Sequence, residues 1–374
     1  MESIITPKEK ISKFFYENGY EFLSSVPQRR IQEMILSSGM KGYTGKTSDY
    51  ADSGEVHRTT YGHFLKAGKW SESAVSTTTK AGVVARIEKS SERTKQPVYW
   101  RIDDTIAEKK QPSKKALSPT EGTGWHYSHL EKTMVYGHQL LGCTVSCGEM
   151  SLCYEMKRYD KAEKSKIDMT VDLIASLPVA ERESYALFDS WYTNAKTVNA
   201  FRAKNYIVIG ALKTNRIIYY EGESVSITEL GLNTSIDEFQ LVTLNNQEKY
   251  WVYRYTGNLN GIADVVVLIT FPEDNFGGVG ALRAFLCTDT TLKSDAILNH
   301  YANRWQIEVF FKQMKGYFGL DKFMIRSAKA IDRFFVIISL AHFFYVGFSD
   351  EQSSFSHGIR SLRDYFCALF KFAL

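Results

Sequence analysis

Residues 184–212 read SYALFDSWYTNAKTVNAFRAKNYIVIGAL. SYALFD is a short apolar run of the kind that forms a buried strand. NAKTVNAFRAKN, from Asn194, reads as a helix, and YIVIGAL as a second strand. Upstream, an amphipathic helix is expected over about Lys161 to Leu177, with Ile167, Val171, Ile174 and Leu177 at helical spacing and Pro178 closing it. Before that helix stand three strand candidates rich in β-branched and aromatic residues: VYWRIDD from Val98, TMVYGHQLLGCTVSC from Thr133 and SLCYEMKRY from Ser151, the last two joined by a turn at Cys147–Glu149.

The order is three strands, helix, strand, helix, strand. It predicts an α/β fold whose core is an RNase H-like mixed sheet flanked by helices, although alternation alone also admits other α/β folds. Residues 213–290 are strand-rich again (IIYY, FQLVTL, YWVYRYT, ADVVVLITF, LRAFLCT) and read as a β-rich insertion. Two helices follow, about Ser294–Phe318 and Ala328–Val346. The expected organisation is a helical DNA-binding region over 1–95 and a catalytic domain in two parts, 96–212 and 291–347. The insertion separates these parts, and a tail occupies 348–374. No internal repeat is evident.

The N-terminal region reads as short helices and loops. PQRRIQEMILSSGM, closed by Gly39, and the basic, aromatic HRTTYGHFLKAGKW fit either a helix-turn-helix reader of DNA or a small helical packing module. The Ser/Thr-rich stretch Ser71–Thr79 reads as a bend or linker.

Composition excludes several classes. The 374 residues are 44% hydrophobic and 24% charged, which is ordinary for a globular chain and argues against disorder or a disulfide scaffold. Cys143, Cys147 and Cys153 cluster without a Cys-x2-Cys pair, so reduced thiols in a cytosolic compartment are expected rather than a structural zinc. MESIITPKEKISKFF lacks the pattern of a secretory signal. The apolar run Phe334–Phe348 contains His342 and is short of the roughly 18 residues that would span a bilayer. The formal net charge of +4 resolves into +4 over residues 1–100, −4 over 101–300 and +4 over 301–374. Such a division suits a surface that meets phosphates around an acidic centre, as well as many unrelated proteins.

The chemistry is concentrated in YANRWQIEVFFKQMK, from Tyr301. Tyr301, Arg304, Glu308 and Lys315 stand at offsets 0, 3, 7 and 14. At about 100° per residue they share one helix face. Ile307, Phe310, Phe311 and Met314 supply the apolar stripe opposite. Taken alone, Arg304 and Glu308 are an ordinary i, i+4 ion pair. Two further acids alter the balance: Asp103 and Asp104 end the first strand, and Asp189 ends SYALF. Carboxylates at the carboxyl ends of neighbouring strands lie where α/β sheets place ligands. Converging acids require a divalent cation to neutralise them, and oxygen-only ligands favour Mg²⁺ or Mn²⁺. Two such ions would serve phosphodiester displacement.

The spacing Tyr-x2-Arg-x3-Glu-x6-Lys resembles the signature of one large group of bacterial insertion-sequence transposases with a DDE active site. IDDT at Ile102–Thr105, followed by Lys109 and Lys110, resembles their first catalytic strand, and the stretch from Phe188 to Arg216 their second. KFMIRSAKAIDRF also fits, and the resemblance spans about residues 95–345. It implies Asp104 as the first metal ligand, with Asp103 the less favoured choice, since alternation lets only one of them point at the metals. Asp189 and Glu308 would be the second and third ligands. Tyr301, Arg304 and Lys315 would hold DNA phosphates, with Lys213 and Arg216 adding basic contacts.

The implied cofactor is two Mg²⁺ (or Mn²⁺) ions. The implied partners are double-stranded DNA, as transposon ends and target, and a second copy of the chain on DNA, with no membrane. The implied location is the bacterial cytoplasm at the nucleoid. Relatives that cut through a DNA hairpin can carry a Trp in the insertion shortly before the third acid. GGVGALRAFLCTDTT has none, leaving Trp251, Phe276 or Phe285 for stacking. A metal-dependent nuclease of the same fold, or a catalytically silent DNA-binding protein derived from a transposase, are the alternatives. His126, His129 and His138 lie near the first acid and are expected to be packing residues rather than ligands.

Overall fold

A computed structural model describes residues 6–347 except 41, 129 and 130, together with Ile359. His129 and the tail over 348–374, Ile359 apart, lie outside the described residues. The chain forms two compact units. One holds Pro97–Asp103 and Glu163–Ile307; the other holds the described residues up to Gln96, Asp104–Ala162 and those from Glu308 onward.

The unit containing Glu163–Ile307 is a mixed sheet with helices. Strand β1 (Val98–Glu108) contributes its first half, pairing in parallel with β5 (Ser184–Phe188), which pairs in parallel with β6 (Ile207–Leu212). Every residue of β5 is buried, as its unbroken apolar run requires of a strand with neighbours on both sides. Helix α6 (Lys166–Ser176) precedes β5, and α7 (Ala195–Arg202) crosses from β5 to β6. Both helices start on side-chain caps: Ser165 Oγ accepts from the Asp168 N–H at 3.1 Å and Asn194 Oδ1 from the Thr197 N–H at 3.1 Å.

The β-rich insertion does not fold as a separate sheet. Strand β12 (Arg283–Cys287) pairs antiparallel with β6, followed outward by β11 (Ile262–Pro272), β10 (Lys249–Leu259), β7 (Ile217–Tyr220) and β8 (Glu223–Ser226). The short β9 (Gln240–Thr243) lies on β10, and a further helix, α8, covers Ile227–Asn233. Leu187, Ile209, Val252, Val266, Leu268 and Cys287 form the core under α9 (Ser294–Ala302), which contributes Ile297 and Leu298. Phe276 packs its ring against Phe239 at 5.0 Å and Phe271 at 4.9 Å, so it belongs to the insertion's own core.

The other unit is built on α11 (Ala328–Val346), which is buried nearly all round. Against it pack α2 (Ser25–Ser38), α4 (Arg58–Ala67), α5 (Glu72–Thr94) and strand β4 (Met150–Arg158). Helices α1 (Pro7–Glu17) and α3 (Thr47–Ser53) pack on α2. Strand β3 (Thr133–Cys147) pairs antiparallel with β4 and with β2 (Gly124–Ser128). The stretch Ser71–Thr79 is helix rather than a linker: Ser71 Oγ caps α5 by accepting from the Ala74 N–H at 3.1 Å. The backbones at Gly45 and Gly319 pass so closely that a Cβ on Gly319 (φ +62°) would stand 2.3 Å from the Thr44 carbonyl oxygen. Cys143, Cys147, Cys153 and Cys287 are free and buried. Among the described residues, no helix is long and apolar enough to cross a membrane.

Two histidines of this unit are buried and neutral. Burial pushes His342 down to about 3 and His138 down to about 4; for His138 its hydrogen bond to the Gly122 carbonyl opposes the shift, while nearby Lys109, Arg158 and His126 add to it. A folded-state value below the ordinary value of about 6.5 means that the unfolded chain takes up these protons first. Stability from these groups is therefore complete above about pH 6.5 and lost as the pH falls toward 4. Urea midpoints should decline steeply over that interval. His342→Gln should flatten the decline by up to about 1.4 kcal/mol per pH unit, and an unchanged slope would contradict the burial argument.

Candidate active site

The alternation of β1 decides which of its two terminal acids faces Asp189. Val98 to Ile102 pair one to one with Ser184 to Phe188, so the next pair in register is Asp103 with Asp189. Parallel partners in register point to the same face, and Asp104 points to the opposite one with Trp100 and Ile102. The surroundings of each acid agree. Asp103 Oδ2 receives the Arg304 guanidinium at 3.3 Å, with both side chains 19% exposed. Asp104 Oδ1 receives Gln139 Nε2 at 2.7 Å from a nearly buried side chain of β3. The sequence reading favoured Asp104, whereas the chain brings Asp103 onto the face of Asp189 beside the signature arginine.

Asp189 follows β5 in a tight turn. Its Oδ1 accepts the backbone N–H groups of Trp191 at 2.9 Å and Tyr192 at 3.3 Å, which fixes the carboxylate's orientation. The Thr193 hydroxyl donates to the Asp189 carbonyl oxygen at 2.9 Å and locks the turn further.

The signature does not ride on one uninterrupted helix. Helix α9 ends at Ala302, a 3-10 turn occupies Asn303–Trp305, and α10 (Gln306–Phe318) starts afresh. The apolar stripe of α10 is as expected: Ile307, Phe310, Phe311 and Met314 are all buried. The break has a partner in Arg101, a fully buried arginine whose Nε donates to the Asn303 carbonyl oxygen at 2.5 Å. That bond ties β1 to the turn bearing Arg304. Next to it, Tyr99 Oη bonds His300 Nδ1 at 2.8 Å, and the His300 ring stacks on Tyr185 at 4.1 Å.

Tyr301 lies against Phe285 (ring centroids 4.8 Å apart), with the Arg304 guanidinium 5.9 Å from its ring. Burial raises its phenol to about 12; Arg304 opposes this, and the charges of Asp189 and Asp103 reinforce it. Four signature groups thus share one neighbourhood: Asp103, Asp189, Tyr301 and Arg304.

Glu308 is half-buried in the first turn of α10. Lys315, in the last turn, is depressed by burial, with Asp321, Glu131 and Glu108 acting the other way. Lys213 and Arg216 sit in the turn between β6 and β7. Lys109 faces inward instead: its Nζ donates to the carbonyl oxygens of Asp321 at 2.7 Å and Phe323 at 2.8 Å, and burial lowers it to about 8. His126 and His138 are buried packing residues. Among the described residues no group of three or more His, Cys, Asp or Glu side chains forms a metal-holding cluster. The donors that the signature offers are carboxylate oxygens, which suit a hard divalent cation rather than zinc. Asp103 and Asp189 share a face, and the partner of Asp103 is the guanidinium of Arg304.

A parallel β1–β5–β6 core with acids at the strand ends and a Tyr-Arg pair beside them defines a nucleic-acid-processing class of site. Residues 102–344 match the family described as transposase DDE domain, and the chain belongs to that family. Among solved structures it is similar to the piggyBac transposase synaptic complex with hairpin DNA, at 10% identity and a TM-score of 0.48, over 96% of this chain and 80% of that one. No curated protein matches the chain.

Proposed function

We propose that this chain is an insertion-sequence transposase of the bacterial group carrying the Tyr-x2-Arg-x3-Glu-x6-Lys signature. It binds terminal inverted repeats as a homodimer, cleaves the transposon ends and joins their 3′ ends to target DNA, working in the cytoplasm at the nucleoid. The observation that carries this reading is the neighbourhood of Asp103, Asp189, Tyr301 and Arg304 within a chain of the DDE family. An RNase H-like reading of the catalytic domain draws support from the parallel β1–β5–β6 strands and from the antiparallel β3–β4 pair.

Asp103, Asp189 and Glu308 would hold two Mg²⁺ or Mn²⁺ ions, with Asp103 taking the role that the sequence reading gave to Asp104. Bound divalent cations supply the charge that activates the attacking oxygen and stabilises the leaving one. Asp189 enters with its carboxylate already oriented by two backbone donors, so little reorganisation is needed. Arg304 offers a planar fork suited to a phosphodiester, and Tyr301 and Lys315 position the same backbone. Lys213 and Arg216 extend the basic contact along the DNA. Residues 1–95 serve DNA binding, with α4 as the basic element.

The test is incubation of the full chain with duplex DNA from the flanks of its own gene. With Mg²⁺ or Mn²⁺, nicks exposing a 3′-hydroxyl and joined target products are expected, and EDTA should remove both. A chain that nicks but never joins a pre-cleaved end would be a nuclease. One that shifts DNA in gels without nicking it in either metal would be a silent binder.

A further inference from the structure

Trp191 stands two residues after Asp189, and nothing in the mechanism above uses it. Its side chain is 47% exposed, while the next residue, Tyr192, is fully buried. The backbone beneath it is rigid, because its own N–H is one of the two donors to the Asp189 carboxylate. Two ammonium groups lie over the one indole ring: Lys166 Nζ, from the start of α6, at 4.8 Å from the centroid, and Lys213 Nζ, just after β6, at 5.3 Å. The three residues come from separate segments of the same unit, so sequence proximity does not explain the cluster. Two cations around one ring repel each other, and an anion between or beside them relieves that repulsion. An exposed indole with phosphate-sized charge partners has the makings of a nucleotide site. Base–aromatic stacking needs only a π-face, and lysines track the backbone.

We infer that Trp191, Lys166 and Lys213 form a stacking platform for one unpaired nucleotide of the DNA strand next to the Asp189 carboxylate. The base lies on the indole, and the flanking phosphates meet the two ammonium groups. The inference rests on the transposase reading for the identity of the ligand, and it assigns to Trp191 a task for which the insertion's Phe276 is unsuited, being packed in its own core. Because every base offers a π-face, the platform is indifferent to base identity.

The probe is a single-stranded oligothymidylate of about ten nucleotides with one 2-aminopurine, compared with a blunt duplex of the same length. Binding by the full chain should quench the 2-aminopurine. Trp191→Ala should weaken single-strand binding about tenfold and abolish the quench, Trp191→Phe should retain most of both, and duplex affinity should stay unchanged in each. The double variant Lys166→Ala with Lys213→Ala should lower the salt slope of single-strand binding by about 1.4, as two lost phosphate contacts require. Equal single-strand affinity and quenching in wild type and Trp191→Ala would overturn the platform. Failure of the wild type to nick DNA with either metal would instead strike the transposase reading and leave the platform result readable.

Discussion

Asp103→Asn is expected to reduce metal-dependent cleavage by at least about 100-fold, and Asp104→Asn to leave it within a few-fold of wild type. Outer-shell partners of metal ligands typically cost about 10- to 100-fold when removed, so loss of a ligand should meet or exceed the upper figure. Glu308→Gln should fall as far as Asp103→Asn while retaining binding to the ends. The contrast between the two neighbouring aspartates follows from strand geometry. Asp103 shares its face with Asp189 and touches Arg304, whereas Asp104 is satisfied by Gln139 on the opposite face. Asp103→Asn keeps the shape and can still accept a hydrogen bond from Arg304, so a folding defect is not expected. Cleavage rates, with gel-shift affinity as the control, make the measurement. Loss of cleavage in Asp104→Asn with retention in Asp103→Asn would reverse the assignment.

Much of this site is legible in the sequence because its parts are local. SYALFD, the apolar stripe of α10 and the strand ends bearing acids each follow from patterns a few residues long. The choice between Asp103 and Asp104 is not local. It depends on the register of β1 against β5, set by pairing across about 85 residues of intervening chain. Arg101 shows the same limit: inside a strand it reads as one more surface cation, and only the fold reveals that it is buried and holds the turn at Asn303. That bond coincides with the interruption of what reads as one continuous helix over 294–318.

The long helix α5 escapes notice for another reason. ESAVSTTTKAGVVARIEKSSERT is rich in Ser and Thr, which compete with the helix backbone, and its helical state comes with packing against α11 and β4. The Trp191 cluster leaves a trace in the sequence only as an aromatic residue after an acid, since Lys166 and Lys213 are distant in the chain.

Arg333→Met is expected to destabilise the unit built on α11 by about 3–5 kcal/mol, the range typical for removing one member of a buried charged network. Arg333 belongs to KFMIRSAKAIDRF, a stretch that in the sequence reads as part of the family pattern and invites a DNA role. Its side chain is only 4% exposed and is saturated by protein. Nε and Nη2 donate to Glu72 Oε2 at 3.1 and 3.0 Å. Nη1 donates to the carbonyl oxygens of Gly68 at 2.9 Å and Leu65 at 3.3 Å, and Nη2 to that of Trp70 at 2.8 Å. The guanidinium also lies 4.6 Å from the centroid of the Trp70 ring.

These acceptors close the end of α4 and the start of α5, where helix carbonyls have no partner of their own. Methionine keeps the length and apolar stem of the side chain but leaves the acceptors without their donor, at a cost of about 1–3 kcal/mol for each one that stays dry. The neighbouring Asp332 has a similar structural task, receiving Arg158 Nε at 3.1 Å. Urea denaturation should show a clearly lowered midpoint for Arg333→Met. Arg29→Ala, at an exposed position, should stay within about 0.5 kcal/mol of wild type. DNA affinity per folded molecule should not change in Arg333→Met. A loss of DNA binding with an unchanged denaturation midpoint would show that this arginine meets the nucleic acid instead of the α4–α5 junction.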